Sequence, residues 1–247
     1  MQWRIFTLLG FLTIATSGGA VIPRLLESAI AKLQADENHW AYTQTTQEFD
    51  LKGEPKKGAT IERFDPSQPL DRQWSLSQWK GGVPTAREER AWKRKKEKEM
   101  ARREEKTLGE VMNFDRAELI SEKAGKVDFE IPLQSGASRR LPADKFVVHV
   151  TVDQESETLE GFSLRTKEAF RAYGVAKIET IEIEAAFATA AEPFAPQLEK
   201  VTARGVGKIL FLRVGGAAEM TWSDYQRVKP YADRFEVKFG ELKAFGF

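Results

Sequence analysis

Apolar and polar residues alternate through most of this chain, with the period of two that is typical of β-strands. The clearest stretch covers residues 126–133, where Asp128 and Glu130 separate apolar residues that would share one face. A second stretch, at residues 146–153, contains His149 on its polar side. Each stretch is therefore predicted to be a strand with one face in a core. The apolar positions are Val127, Phe129, Ile131, Leu133, Phe146, Val148, Val150 and Val152.

Similar strand signals recur along the chain, separated by turn residues about every 8–15 positions. Three strands are predicted between residues 38 and 79, a hairpin at 117–133 and two strands at 140–166. One long strand follows at 173–190, with Ile181, Ile183 and Phe187 inward, and three short strands are predicted between residues 196 and 228. The short connections favour an antiparallel sheet, and a large sheet curls because strands twist. The predicted fold is mainly β (α+β): a curved antiparallel sheet forming an incomplete β-barrel of about 11 strands.

Two segments instead have the pattern of helices. Residues 23–37 carry an apolar stripe at helical spacing, which predicts a helix lying on the sheet. Residues 85–106 contain no Gly or Pro, and ten Lys or Arg against six Glu lie between Arg87 and Lys106. Two interpretations of this charged helix stay open: a solvated helix held by its own ion pairs, or a cationic surface for an acidic partner or an anionic membrane. The surface residues in the second case are Lys93, Arg94, Lys95 and Lys96.

The first twenty residues resemble a secretory signal peptide. Arg4 precedes an uncharged apolar run, and Gly18 and Ala20 occupy the positions that a signal peptidase reads. We therefore predict a signal peptide at residues 1–20, cleaved before Val21, and a single periplasmic domain at 21–247. The alternative is an uncleaved membrane anchor, although Thr, Ser and Gly dilute the apolar run.

Composition narrows the classes of function. The 247 residues include no Cys, which excludes disulfides, a thiol nucleophile and a lipidated Cys, so a soluble protein with no lipid anchor is predicted. Lys and Arg number 38 against 37 Asp and Glu, a balance that does not favour nucleic-acid binding. With two His and no Cys, neither a metal site nor a cofactor is predicted.

Catalytic chemistry has one weak candidate. His149 and Asp153 lie four residues apart, which places both on one side of a strand, where an acid could orient a base. No nucleophile motif accompanies them, and the sequence favours an outward-facing polar pair. The chain is therefore predicted not to be an enzyme.

The order of motifs resembles a known superfamily. Trp40-Ala41-Tyr42-Thr43 is followed by Arg63-Phe64-Asp65-Pro66-Ser67, by Gln73-Trp74 and then by the charged helix. This order is similar to the half-barrel proteins of periplasmic lipoprotein sorting (Lol carrier and receptor), and closest to their uncharacterised secreted branch. The resemblance implies an apolar concave face, capped by helices, that holds acyl chains. The carrier's lid-locking Arg has no assigned equivalent here, and the receptor's lipidated Cys is absent.

The leading prediction is therefore a periplasmic binding or carrier protein for a lipid, a lipoprotein or another apolar ligand. The inward residues either form a packed core or leave a cavity for the ligand. The alternative is a non-catalytic envelope protein that contacts another envelope protein through helix 85–106. The candidate ligand-binding residues are Trp40, Tyr42, Trp74, Phe129, Ile131, Phe146, Val148 and Phe162.

Overall fold

A computed structural model describes residues 23–103, 111–135, 142–172 and 176–234 of the chain. The predicted signal peptide and residues 104–106 of the predicted charged helix lie outside the described residues. Within them are two α-helices, α1 (Arg24–Asp36) and α2 (Ala86–Arg103). No helix in the described ranges has the length and apolar character needed to cross a bilayer.

The strands form one antiparallel sheet in the order β3-β2-β1-β11-β10-β9-β7-β6-β5-β4, with β8 paired to β9. Along the described chain β3 and β4 are its two edges, so the sheet does not close into a barrel. This confirms the predicted open, mainly β fold. The strands are β1 (Trp40–Phe49), β2 (Thr60–Phe64), β3 (Trp74–Gln78), β4 (Glu118–Lys123), β5 (Lys126–Ile131), β6 (Phe146–Asp153), β7 (Thr158–Thr166), β8 (Phe170–Ala172), β9 (Ala176–Ala188), β10 (Gln197–Ile209) and β11 (Leu212–Arg227).

The C-terminal part differs from the prediction. The three short strands expected between residues 196 and 228 are two long ones, β10 and β11, and the short β8 was not predicted. Gly205, Gly207, Gly215 and Gly216 lie inside this hairpin, where Gly205 pairs with Gly216. A Cβ on Gly207 would come within 2.6 Å of the carbonyl oxygen of Lys177. Glycine at that position therefore allows close strand approach beside a β-bulge rather than ending the strand.

The strand register builds the core on one face of the sheet, which we call the inner face. The apolar residues of each strand lie opposite those of the next, so they form rows across the sheet. Leu26, Ala29 and Ile30 of α1 are buried in the same cluster. One row consists of Phe129, Val150, Phe162, Ala185, Val201 and Met220, and the next of Ile131, Val148, Leu164, Ile183, Ala203 and Ala218.

Polar contacts fix α1 over this core. Ser28 donates a hydrogen bond of 2.5 Å to the carboxylate of Glu157, and Lys32 donates one of 2.5 Å to the carbonyl oxygen of Ser156. Both acceptors belong to the turn between β6 and β7, and α1 packs on these two strands. The predicted apolar stripe of α1 therefore covers the β6–β7 part of the inner face.

Two isoleucines on neighbouring strands allow a matched test of this core. Ile131 is fully buried, and Ile120 is 50% exposed. We expect Ile131→Ala to lower the free energy of unfolding by about 2–5 kcal/mol, because it leaves a cavity. Ile120→Ala should change it by less than about 1 kcal/mol. Urea unfolding followed by circular dichroism measures both, and equal losses would contradict the assignment of the inner face.

Candidate functional site

The eight candidate ligand-binding residues fall into two groups. Phe129, Ile131, Phe146 and Val148 are at most 3% exposed and belong to the core cluster under α1. Phe162 is partly buried and packs against the same cluster. These five side chains are core packing rather than the lining of an open cavity. The other three, Trp40, Tyr42 and Trp74, lie at the opposite side of the sheet, on β1 and β3.

A row of aromatic side chains crosses that side of the inner face. The register pairs Tyr42 with Phe64 and Phe64 with Trp74. Their ring centroids are 5.2 Å apart for Tyr42–Phe64 and 4.9 Å apart for Phe64–Trp74. Tyr225 extends the row through a contact of 5.7 Å with Tyr42. We call Tyr42, Phe64, Trp74 and Tyr225 the aromatic row, and all four are only half-buried.

A β-bulge brings Tyr225 into this row. The pairing of β1 with β11 shifts between Ala41 and Thr43, and Asp224 adopts a positive φ of 53°. The Tyr225 hydroxyl donates a hydrogen bond of 2.6 Å to the carbonyl oxygen of Leu198. Burial raises the pKa of Tyr225, with a smaller contribution from Tyr42. The phenol therefore stays protonated and acts as a fixed part of the wall.

Trp40 is buried at one end of the aromatic row. It is 2% exposed, and its ring meets those of Phe194 and Tyr225 edge-on, at 5.6 and 6.0 Å. Its indole N–H donates to Asp36, which also accepts a hydrogen bond of 2.5 Å from Arg227. The α1–β1 junction is thereby tied to the end of β11. Trp40 is a structural support of the aromatic row rather than an accessible surface.

A buried carboxylate stands beside the aromatic row. Glu62 lies on β2 opposite Gln44 and is 7% exposed. It accepts a hydrogen bond from the Trp92 indole N–H, and its carboxylate oxygen is 2.8 Å from the Lys96 ammonium nitrogen. That ammonium group also lies 3.9 Å from the centroid of the Trp74 ring, within the range of a cation–π interaction. We call Glu62, Trp92 and Lys96 the α2 anchor.

The α2 anchor distinguishes two faces of the charged helix. Of residues 86–100, only Trp92 is buried, and the Lys96 side chain is 12% exposed. Lys96 therefore belongs to the sheet-facing side and not to the cationic surface predicted for it. Lys93, Arg94 and Lys95 are exposed. Lys95 lies 3.5 Å from Glu99 in the i,i+4 arrangement that supports a helix.

The histidines do not form a catalytic arrangement in the described structure. His149 lies 3.5 Å from Glu130 on the neighbouring strand, while Asp153 accepts hydrogen bonds from Ser156. The predicted orientation of His149 by Asp153 is therefore not made. His39 follows α1 and lies 3.9 Å from Asp233. Across the described ranges, no group of three or more His, Cys, Asp or Glu side chains is placed to hold a metal ion.

Comparison of the chain with protein-family models, with curated proteins and with solved structures finds no match. The resemblance to the half-barrel superfamily therefore stays a prediction.

Sequence reasoning found Tyr42 and Trp74 but missed Phe64, Tyr225 and the role of Glu62. Phe64 follows Glu62 by two positions and lies on the same face of β2, so the period of two along this strand could have identified it. Glu62 itself reads as one more charged residue of a surface strand. Glu62 is buried and paired only because Trp92 and Lys96, which follow it by 30 and 34 residues in the sequence, pack against it.

The α2 anchor can be tested by exposing the helix to protease. We expect Glu62→Ala to weaken the docking of α2 by about 2–4 kcal/mol, because it leaves Lys96 without its carboxylate partner. Trypsin should then cleave the Lys- and Arg-rich α2 faster than in the original protein. Glu184→Ala removes an exposed pair with Arg165 and serves as the control. Equal cleavage rates in the two variants would show that Glu62 does not hold α2.

Proposed function

We propose that this protein binds an apolar ligand of the lipid acyl-chain class and carries it in the periplasm. The proposed binding surface is the aromatic row, not the part of the inner face under α1. The observation that carries the proposal is the half-burial of four neighbouring aromatic side chains on one sheet face. Further burial of such rings by a ligand is favourable by about 25 cal/mol for each Å² removed from water.

The two helices divide the inner face in a way that supports this assignment. α1 buries its apolar residues against the core cluster of the sheet. The contacts that the structure describes between α2 and the sheet converge instead on Glu62 and Trp74. A helix held by one ion pair and one indole can leave the sheet at a smaller cost than a helix in the core. We therefore assign α2 the role of a movable cover beside the aromatic row.

The resemblance to lipoprotein-sorting half-barrels points to the same chemistry. Those proteins hold acyl chains on a sheet face that helices cap, and the carrier locks its lid with an Arg. In this chain, the Glu62–Lys96 pair would serve as the lock, since it joins the cover to the sheet. The aromatic rings would contact the acyl chain, and the neighbouring Gln44 offers a polar contact at the edge of the row.

Ligand content provides the test of this function. Protein purified from the periplasm should carry lipid that native mass spectrometry and solvent extraction detect. We expect a Tyr42→Ala/Trp74→Ala variant to retain about tenfold less lipid, because it loses two of the four rings. Leu119→Ala, at a 58% exposed position on an edge strand, should retain the original amount. Protein that is empty under all conditions, or equal retention in both variants, would overturn the proposal.

A second candidate function rests on the exposed face of α2. Lys93, Arg94 and Lys95 present three consecutive cations to solvent, which suits an acidic envelope protein. We expect Lys93→Glu/Arg94→Glu/Lys95→Glu to abolish a partner interaction detected by pull-down while leaving Lys96 and the α2 anchor intact. Pull-down that is unchanged by this reversal would leave α2 with its covering role alone.

A further inference from the structure

The turn between β10 and β11 presents three large apolar side chains to solvent. Leu210, Phe211 and Leu212 are 71%, 97% and 73% exposed. Ile209 pairs with Leu212, so Leu210 and Phe211 form a two-residue turn at the end of two long strands. Such turns usually contain Asn, Asp or Gly, which tolerate a positive φ and interact well with water. We call Leu210, Phe211 and Leu212 the hairpin tip.

The backbone of the hairpin tip is also unfavourable for its sequence. Leu210 has a φ of +56°, a left-handed conformation that favours glycine or asparagine. Leucine at this position therefore costs both backbone strain and solvent exposure of an apolar side chain. The hairpin tip combines an unfavourable backbone conformation with exposed apolar side chains. Two unfavourable features at the same turn point to a function there.

Cationic side chains surround a cavity immediately behind the hairpin tip. The cavity, of about 480 Å³, lies between the β1–β2 loop and the adjoining ends of β9, β10 and β11. Asp50 is the acidic residue in its lining. The cationic residues of the lining, which we call the cationic collar, are Lys52, Lys56, Lys177, Lys208 and Arg213.

The carboxylate of Glu179 lies next to the cationic collar. Lys208 lies 3.0 Å from it. The pKa of Glu179 is held below its usual range, first by the hydrogen bond from Lys208 and then by the charges of Lys208, Arg213 and Lys177, against the opposing effect of burial. The cavity lining contains five cations and one carboxylate, Asp50, so the collar keeps a positive excess.

We infer that this end of the sheet docks on an anionic lipid bilayer. The hairpin tip enters the boundary between headgroups and acyl chains, and the cationic collar meets the lipid phosphates behind it. Interfacial segments bury apolar side chains about 5–10 Å into that boundary. Each Lys or Arg near an anionic leaflet adds to the attraction. Leu51 is 45% exposed and packs over Gly215 at the base of the hairpin, where it adds apolar surface beside the tip.

A lipid surface fits these features better than a protein surface. A stable protein interface buries about 800 Å² on each partner, and three side chains at a turn offer less area. A bilayer needs no complementary shape, because its acyl chains and headgroups rearrange around an inserted turn. The combination of an apolar tip and a cationic surround matches the layered chemistry of an anionic leaflet.

This docking site is separate from the proposed ligand site. The aromatic row lies near the start of β1 and the end of β11, and the hairpin tip lies at the other ends of the same strands. The inference therefore does not rest on the proposed function. A Tyr42→Ala/Trp74→Ala variant should keep its membrane binding even where it loses lipid content.

Vesicle co-sedimentation of the purified protein tests the inference. We expect binding to phosphatidylcholine vesicles that contain phosphatidylglycerol, and weak binding to phosphatidylcholine alone. A Leu210→Ser/Phe211→Ser/Leu212→Ser variant should bind about tenfold or more weakly, because it loses the inserted apolar surface. Val83→Ser, at a position that is 90% exposed outside this region, is an apolar control and should bind normally. Unchanged binding by the tip variant would overturn the inference.

Charge substitutions test the collar separately. Lys177→Gln/Arg213→Gln should lose about tenfold of the affinity for anionic vesicles and little of the affinity for neutral ones. Lys123→Gln/Arg204→Gln removes the same number of charges from exposed positions outside the collar and is the control. Equal losses in the two variants would show that overall charge, not the collar, directs binding, and would overturn this part of the inference.

The absence of Cys from the sequence allows a site-specific probe. An environment-sensitive dye on a Phe211→Cys variant should shift its emission to the blue when anionic vesicles are added, and the same dye on Val83→Cys should not. Sedimentation without a shift at residue 211 would place the membrane contact elsewhere and overturn the inference. A dimer that the tip variant loses, without any effect on vesicle binding, would assign the tip to a second copy of this chain instead.

Discussion

The cross-strand register of apolar side chains is the constraint on which the rest of this structure depends. From β5 to β11, each strand places its apolar residues opposite those of its neighbour, and the resulting rows lie on one face. A slip of one residue in any pair would turn that strand's apolar residues to the solvent side. The register therefore defines which face α1 covers and which side chains remain for other purposes.

The same face changes character from one side of the sheet to the other. Under α1 it is apolar and buried, with Ile131 and Val148 excluded from solvent. Beside α2 it is aromatic and half-buried, and its helix is anchored by a carboxylate, an ammonium group and an indole. Burial of a carboxylate is costly unless it is paired and hydrogen-bonded. Glu62 meets both conditions only while α2 is in place, so the anchor couples the position of the helix to the state of the sheet.

The unusual features of the molecule lie at opposite ends of β11. One end carries the bulge that turns Tyr225 toward Tyr42, and the other carries the apolar turn of Leu210 and Phe211. β11 also lies near the middle of the sheet, between β1 and β10. A long central strand of this kind is a rigid support for both ends. The proposed ligand surface and the proposed membrane contact are thus held by one element without sharing side chains.

The sequence by itself determined the strand content and the amphipathic character of α1, because these follow from local periodicity. It also predicted the open antiparallel sheet, because the connections are short and a large sheet twists. It also supplied Tyr42 and Trp74 as members of one face. Tertiary structure decided that Phe129 and Ile131 fill a core, that Lys96 faces the sheet and that β10 and β11 are two long strands. Those outcomes depend on which distant residues meet, and short-range patterns contain no information about such pairings. The role of Glu62 is the clearest case, since its partners on α2 lie 30 and 34 residues further along the chain.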